Sequence, residues 1–173
     1  MGRTTVYEKA TLLRDFTLGA SDGLVTTFAI VAGVVGASLS SGYIIVLGLA
    51  KLLADAVSMA AGIYLGAKSE IEYKDLREGH RHKEISPLKQ GAIVFLSFAL
   101  IGFLPLLPFV LNLPSKFILS TIIVGIALFI IGSLRAVYAG KRALRGGIEM
   151  FVVGGVAALI AYLVGFLLKS YIV

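Results

Sequence analysis

The sequence contains no cysteine. That excludes disulfides, thiolate metal sites and cysteine nucleophiles, and leaves oxygen, imidazole and thioether as side-chain donors for any metal. Charge is also scarce: 15% of the 173 residues are Asp, Glu, Lys or Arg, against 58% hydrophobic. A soluble domain needs more charge to cover its surface, so the bilayer is the solvent that suits this composition. No His-Glu-x-x-His metalloprotease motif, clear internal repeat or low-complexity segment occurs. The opening residues carry Arg3, Glu8, Lys9, Arg14 and Asp15 and lead into an apolar run too long for a signal-peptide core, with no early cleavage signal. The chain is therefore expected to be uncleaved. The formal net charge of +6 does not imply nucleic acid, because the bases flank apolar runs and do not cluster among stacking aromatics.

What is present is a set of five apolar stretches that approach or exceed the roughly 20 residues of a spanning helix. They run over 16–39, 43–67, 91–111, 117–138 and 148–168. The expectation is an all-α integral membrane protein of five transmembrane helices, with a membrane domain over 16–173 and a cytoplasmic loop at 68–90. The third stretch carries Pro105 and Pro108, so it is expected to bend or end early. Ser40 to Gly42 and Asn112 to Ser115 leave room only for short turns.

Positive residues stay cytoplasmic. Thirteen Lys and Arg lie in the N-terminal segment, the span two to three loop and the span four to five connection, against Lys116 and Lys169 on the other side. This places the N-terminus inside and the C-terminus outside. Residues 1–15 form an N-terminal segment in which Thr5 and Glu8 have capping-box spacing and Val6, Ala10 and Leu13 share a face. Two readings stay open for it: an amphipathic cytoplasmic helix in the headgroup layer, or a plain extension of the first span. Beyond span two, Glu70 and Lys74 at i,i+4 extend the helix until Gly79 stops it. Tyr64 and Tyr138 suit interfacial anchors. Five spans do not divide into two equal repeats, and one small bundle encloses a polar path poorly, so a homodimer is expected.

An ionisable residue inside hydrocarbon marks a functional site by default. Asp22, Lys51, Asp55 and Glu149 qualify. At 100° per residue, Asp22, Thr26, Ala29, Gly33 and Gly36 fall within roughly 80° on span one. On span two, Gly48, Lys51, Asp55, Ser58, Gly62 and Gly66 share a face with Met59 at its edge. The two stripes are expected to face each other or a dimer partner, and Gly19 with Gly23 permits close helix approach. If the chain turns about Ser40 and Ser41, Asp22 lies level with Met59 and Thr26 with Asp55. Two carboxylates and a thioether then converge in one layer.

That donor set, Asp22, Asp55 and Met59, suits a transition-metal dication, because thioether disfavours Mg²⁺ and Ca²⁺. Fe²⁺ and Mn²⁺ lead. A carboxylate in low-dielectric surroundings favours its protonated form, so a proton can be exchanged for a metal ion. Thr26, Lys51, Ser58 and Glu149 are candidates for the transport path or its coupling. On the cytoplasmic side Glu70, Glu72, Asp75, Glu78, His80 and His82 are candidates for metal capture. Structural readings stand beside these: Lys51 and Asp55 as a neutralising i,i+4 pair, Asp22 as a headgroup-zone cap, Met59 as packing, the charged loop as a solvated surface, Glu149 as a span end. Asp22 and Asp55 also admit an intramembrane aspartyl protease, which shares a proton between two carboxylates; no protease-like motif surrounds them.

The segments DFTLGASDGLVTTFAIVAGVVGA and GLAKLLADAVSMAAGIYLGAKSE resemble the two opening spans of the vacuolar iron transporter family, and SFALIGFLPLLPF and VVGGVAALIAYLVG are similar to later parts of it. The resemblance implies a homodimer with its path at the two-fold axis, carrying Fe²⁺, and often Mn²⁺, out of the cytoplasm in exchange for protons. Asp22 and Met59 match the family's pore aspartate and methionine. Two departures stand out. Better-known plant members have Glu at the place of Lys51, and they insert a Glu-rich helical metal-binding domain between spans two and three, for which the connection here is too short.

The expected function is thus a secondary transporter of Fe²⁺ or Mn²⁺ as substrate, with no cofactor and no enzymatic activity. Its setting would be a prokaryotic cell membrane or a eukaryotic vacuole-like membrane. The rivals are a Mn²⁺-preferring exporter and a non-transporting membrane scaffold.

Overall fold

The computed structural model describes residues 2–78 and 85–172. Helices account for nearly all of them: α1 Gly2–Gly36, α2 Ser41–Glu78, α3 Pro87–Gly102, a 3-10 turn Leu104–Leu106, α4 Leu107–Val110, α5 Lys116–Tyr138 and α6 Ala143–Ile172. Five stretches are long and apolar enough to cross a membrane, Val6–Gly36, Ser41–Arg77, Pro87–Val110, Lys116–Tyr138 and Ala143–Tyr171. The chain is an integral membrane protein of five spans.

α1 is one unbroken helix of 35 residues, with Thr5 inside it and not at its start. Glu8 reaches across to α3, where Lys89 Nζ lies 3.2 Å from its Oε1. Gly79 lies outside the described residues.

The third span breaks where its prolines require it. Pro105 and Pro108 remove backbone donors and crowd the carbonyls four residues before them, so α3 stops at Gly102 and the chain continues as the 3-10 turn and α4. A carbonyl freed inside a membrane must find another donor. The buried Ser120 hydroxyl on α5 donates to Pro105 O at 2.8 Å. The connections close with left-handed residues. Ser38 has φ 58°, and Leu39 N donates to Val34 O while Ser38 N donates to Val35 O, a Schellman end to α1. Asn112 (φ 51°) ends α4 in the same way.

α1 is the central helix, contacting α2, α3, α5 and α6. It crosses α3 closely at Gly23: a Cβ there would stand 2.6 Å from Phe98 O and 3.2 Å from Gly102 Cα. Leu24, Val31, Val94, Phe98, Leu106, Val124 and Leu128 fill the core around it. Phe28 and Phe117 stack at 6.2 Å between centroids.

One expected facing is different in the structure. Gly33 and Gly36 do not look at the glycine stripe of α2; they seat α6, where a Cβ on Gly36 would collide with Tyr162 O and one on Gly165 with Gly33 O. Glycines on both helices let α1 and α6 touch along their backbones, and this contact turns the glycine face of α1 toward α6 and not toward the stripe of α2. The α2 stripe is covered at its start, where Gly48 packs against Leu106, and left bare farther along: Gly62 and Gly66 have nothing within 4 Å.

Nearer the middle of α1, Asp15 is fully buried. Its Oδ1 accepts from Arg14 Nε at 3.0 Å and Nη2 at 2.9 Å, and Arg14 Nη2 also donates to Gln90 Oε1 at 3.3 Å. This network fastens α1 to the first turn of α3.

Candidate functional site

On the α2 side of α1, Asp22, Asp55, Ser58, Met59 and Phe98 line an open cleft of about 250 Å³. Three helices build it. α1 presents Asp22, and α2 presents Asp55, Ser58 and Met59 within one turn. α3 supplies the Phe98 ring as floor, brought close by the Gly23 crossing. Asp22, Asp55 and Met59 are partly buried, so the donors sit in a recess that still opens outward.

Lys51 belongs to the same constellation. Its Nζ lies 2.6 Å from Asp55 Oδ2 and 5.5 Å from the centroid of the Phe98 ring. One carboxylate of the cleft thus carries an ammonium partner, whereas Asp22 has no ion pair among the described residues. Thr26 does not line the cleft. Its hydroxyl donates to Asp22 O at 2.7 Å, the preceding turn of its own helix. Phe98 is the member that sequence reasoning did not single out, because only a tertiary crossing places it there.

Glu149 stands elsewhere, between α5 and α6, with Oε2 3.0 Å from Arg135 Nη2 and Oε1 3.9 Å from Arg145 Nε. Of the acids expected to capture metal, Glu70 pairs with Lys74 at 2.7 Å and Glu72 with Lys68 at 3.9 Å. Asp75 is partly buried on the same helix. The side chains of Glu78, His80 and His82 lie outside the described residues. Among the described residues no group of three or more His, Asp or Glu converges to hold an ion. A single chain therefore offers two carboxylates, a hydroxyl and a thioether in the cleft, fewer hard donors than a closed cation cage needs.

A family model described as the VIT family matches residues 13–85 and 74–166. The chain belongs to the VIT family. The two matched stretches overlap over 74–85, which begins in the last turns of α2 and ends just before α3. Among relatives, the chain is 26% identical over 218 residues to a vacuolar iron transporter of Toxoplasma gondii, covering 87% of this chain and 72% of that protein. It is 26% identical over 209 residues to vacuolar iron transporter 1 of Arabidopsis thaliana, covering 87% and 84%. Vacuolar iron transporter 1 of Oryza sativa subsp. japonica shares 42% over 78 residues, 45% of this chain and 31% of that protein. The Arabidopsis alignment is longer than this entire VIT-family chain, so that relative holds residues with no counterpart here.

Proposed function

We propose that this VIT-family chain is a secondary transporter, not an enzyme, and that it moves a divalent transition metal, Fe²⁺ before Mn²⁺, out of the cytoplasm in exchange for protons. The observation that carries the reading is the cleft itself: Asp22, Asp55, Ser58 and Met59 converge within membrane-spanning helices. The names of the relatives, vacuolar iron transporters, support iron as the substrate.

Asp22 and Asp55 supply charge, and the Met59 sulfur disfavours Mg²⁺ and Ca²⁺. A carboxylate gives up its proton to bind a dication and regains one when the ion leaves, which couples metal movement to proton movement at the same atoms. The cleft opens on the side of α2 where Gly62 and Gly66 are bare, and one chain offers an incomplete donor set. Both features support a homodimer in which the two clefts share one path. The excess of Lys and Arg around the N-terminal, α2–α3 and α5–α6 segments supports a cytoplasmic N-terminus and outward movement from there. A membrane scaffold is the second reading, favoured by the 2.6 Å Lys51–Asp55 pair, which neutralises half of the cleft's negative charge.

Proteoliposomes with an imposed pH gradient distinguish the two. Wild type is expected to accumulate Fe²⁺, and Mn²⁺ more weakly, only while the gradient stands. Asp22→Asn and Met59→Ala are expected to abolish or sharply reduce that flux. A wild type that moves neither metal under any gradient leaves the scaffold reading.

A further inference from the structure

A second and larger cleft, about 1300 Å³, opens where α5 gives way to α6, far from the Asp22 site in the sequence and on different helices. Arg135, Lys141, Arg142 and Arg145 line it, with Glu149 as the acid among them. Glu149 is engaged by Arg135 and Arg145. Lys141 and Arg142 are exposed and make no side-chain ion pair or hydrogen bond among the described residues.

These two bases are held in place. Gly140 has φ 70°, Lys141 N donates to Ala136 O at 2.8 Å and Gly140 N to Val137 O at 3.0 Å, a Schellman end that folds the chain directly onto α6. Glycine is favoured there because it takes the left-handed backbone with less strain than a residue with a side chain. The first α-helical bond of α6 runs from Gly146 N to Arg142 O. The amides before Gly146 therefore lack intrahelical acceptors, and the positive end of the helix dipole adds to the cationic field.

The rest of the cleft is apolar. Ile148, Val152 and Val153 line it and are each half exposed. From Arg142 to Val153 the wall descends about 16 Å at the helical rise, roughly half of a 30 Å hydrocarbon core, which is the depth of one leaflet. Unpaired cations thus stand at headgroup level above an uncovered wall one acyl chain deep. We propose that this cleft binds an anionic phospholipid of the adjoining leaflet, its phosphate on Lys141 and Arg142 and its acyl chain on Ile148, Val152 and Val153. A free phosphate would leave that wall bare. A second copy docking about a two-fold axis would set two basic surfaces against each other. The proposal rests on the membrane embedding and not on the identity of the transported ion.

Native mass spectrometry of the full-length protein in neutral detergent provides the test, with phosphatidylglycerol and phosphatidylcholine as probes. Wild type is expected to retain phosphatidylglycerol in preference to phosphatidylcholine, and inorganic phosphate is expected not to displace it. The double substitution Lys141→Gln with Arg142→Gln should weaken retention by about thirtyfold, from the usual contribution of two bases at an anionic surface. Lys169→Gln, near the other end of α6, should leave it unchanged. Both altered bases are exposed and unpaired, so an intact melting profile will confirm folding. Equal retention of the two lipids, undiminished binding in the double variant, or displacement by inorganic phosphate would each overturn the proposal. So would loss of a dimer in the double variant with the lipid still bound.

Discussion

Lys51 places an ammonium where a dication would have to compete with it. The Nζ–Oδ2 distance of 2.6 Å to Asp55 ties up one of two carboxylates, and a neighbouring positive charge repels an arriving metal ion. At an effective dielectric near 20, two unit charges about 4 Å apart interact by about 4 kcal/mol, so removing this cation matters even after solvent screening. In the transporter reading, Lys51→Met is expected to lower the half-saturating Fe²⁺ concentration in proteoliposome flux by at least about tenfold, equivalent to about 1.4 kcal/mol. If half-saturation stays put and only thermal stability falls, the residue is a structural partner of Asp55 and nothing more. Asp15 shows the contrasting case of a carboxylate that the fold uses for joining helices: it is sealed from solvent and bonded to Arg14, about two turns along α1 from Asp22.

At the scale of helices, glycine decides which pairs can touch. A methyl group at Gly23 would meet the Phe98 carbonyl at 2.6 Å, while one at Gly62 would meet nothing. Gly23→Ala is expected to destabilise the protein by about 2 kcal/mol, within the usual range for overpacking. It should also disturb the cleft, because the same crossing presents Phe98. Gly62→Ala should be neutral or stabilising by about 0.5–1 kcal/mol in protomer stability, the ordinary helix preference of Ala over Gly. Thermal melts in detergent compare the two. Equal melting temperatures would mean that the α1–α3 crossing can relax without cost. The proline break belongs to the same scale, since Ser120 restores the bond that Pro105 O would otherwise lack.

For the whole molecule, the open question of chemistry is what covers the bare face of α2. Leu65 stands two turns from Ser58 on that face and is 58% exposed, and Ile126 on α5 is 57% exposed. The absence of native cysteine makes cross-linking clean. Under the homodimer proposal, Leu65→Cys in membranes is expected to give an oxidation-dependent covalent dimer, whereas Ile126→Cys, equally accessible, should stay monomeric on a denaturing gel. Cross-linking at both positions, or only at Ile126, would place the interface elsewhere.

Membrane class, span number and the bend in span three were legible because they follow from local chemistry: apolar length, and prolines that cannot donate a backbone bond. The nearness of Asp22, Asp55, Ser58 and Met59 was also legible, because a short turn after span one forces α2 back along α1 at fixed rise. Glu149 and Thr26 mark where that reasoning stopped. An intramembrane charge announces a polar partner, but only packing shows whether the partner is the cleft or Arg135. A hydroxyl in a polar stripe can equally bond back to its own helix. The sequence alone determined the helices, their order and their polar faces, since these depend on neighbours along the chain. The tertiary structure decided that Gly33 and Gly36 receive α6, that Phe98 floors the cleft, and that Lys141 and Arg142 stand free above an apolar wall. Those are contacts between helices distant in sequence, and they are set by which surfaces can approach closely enough to pack.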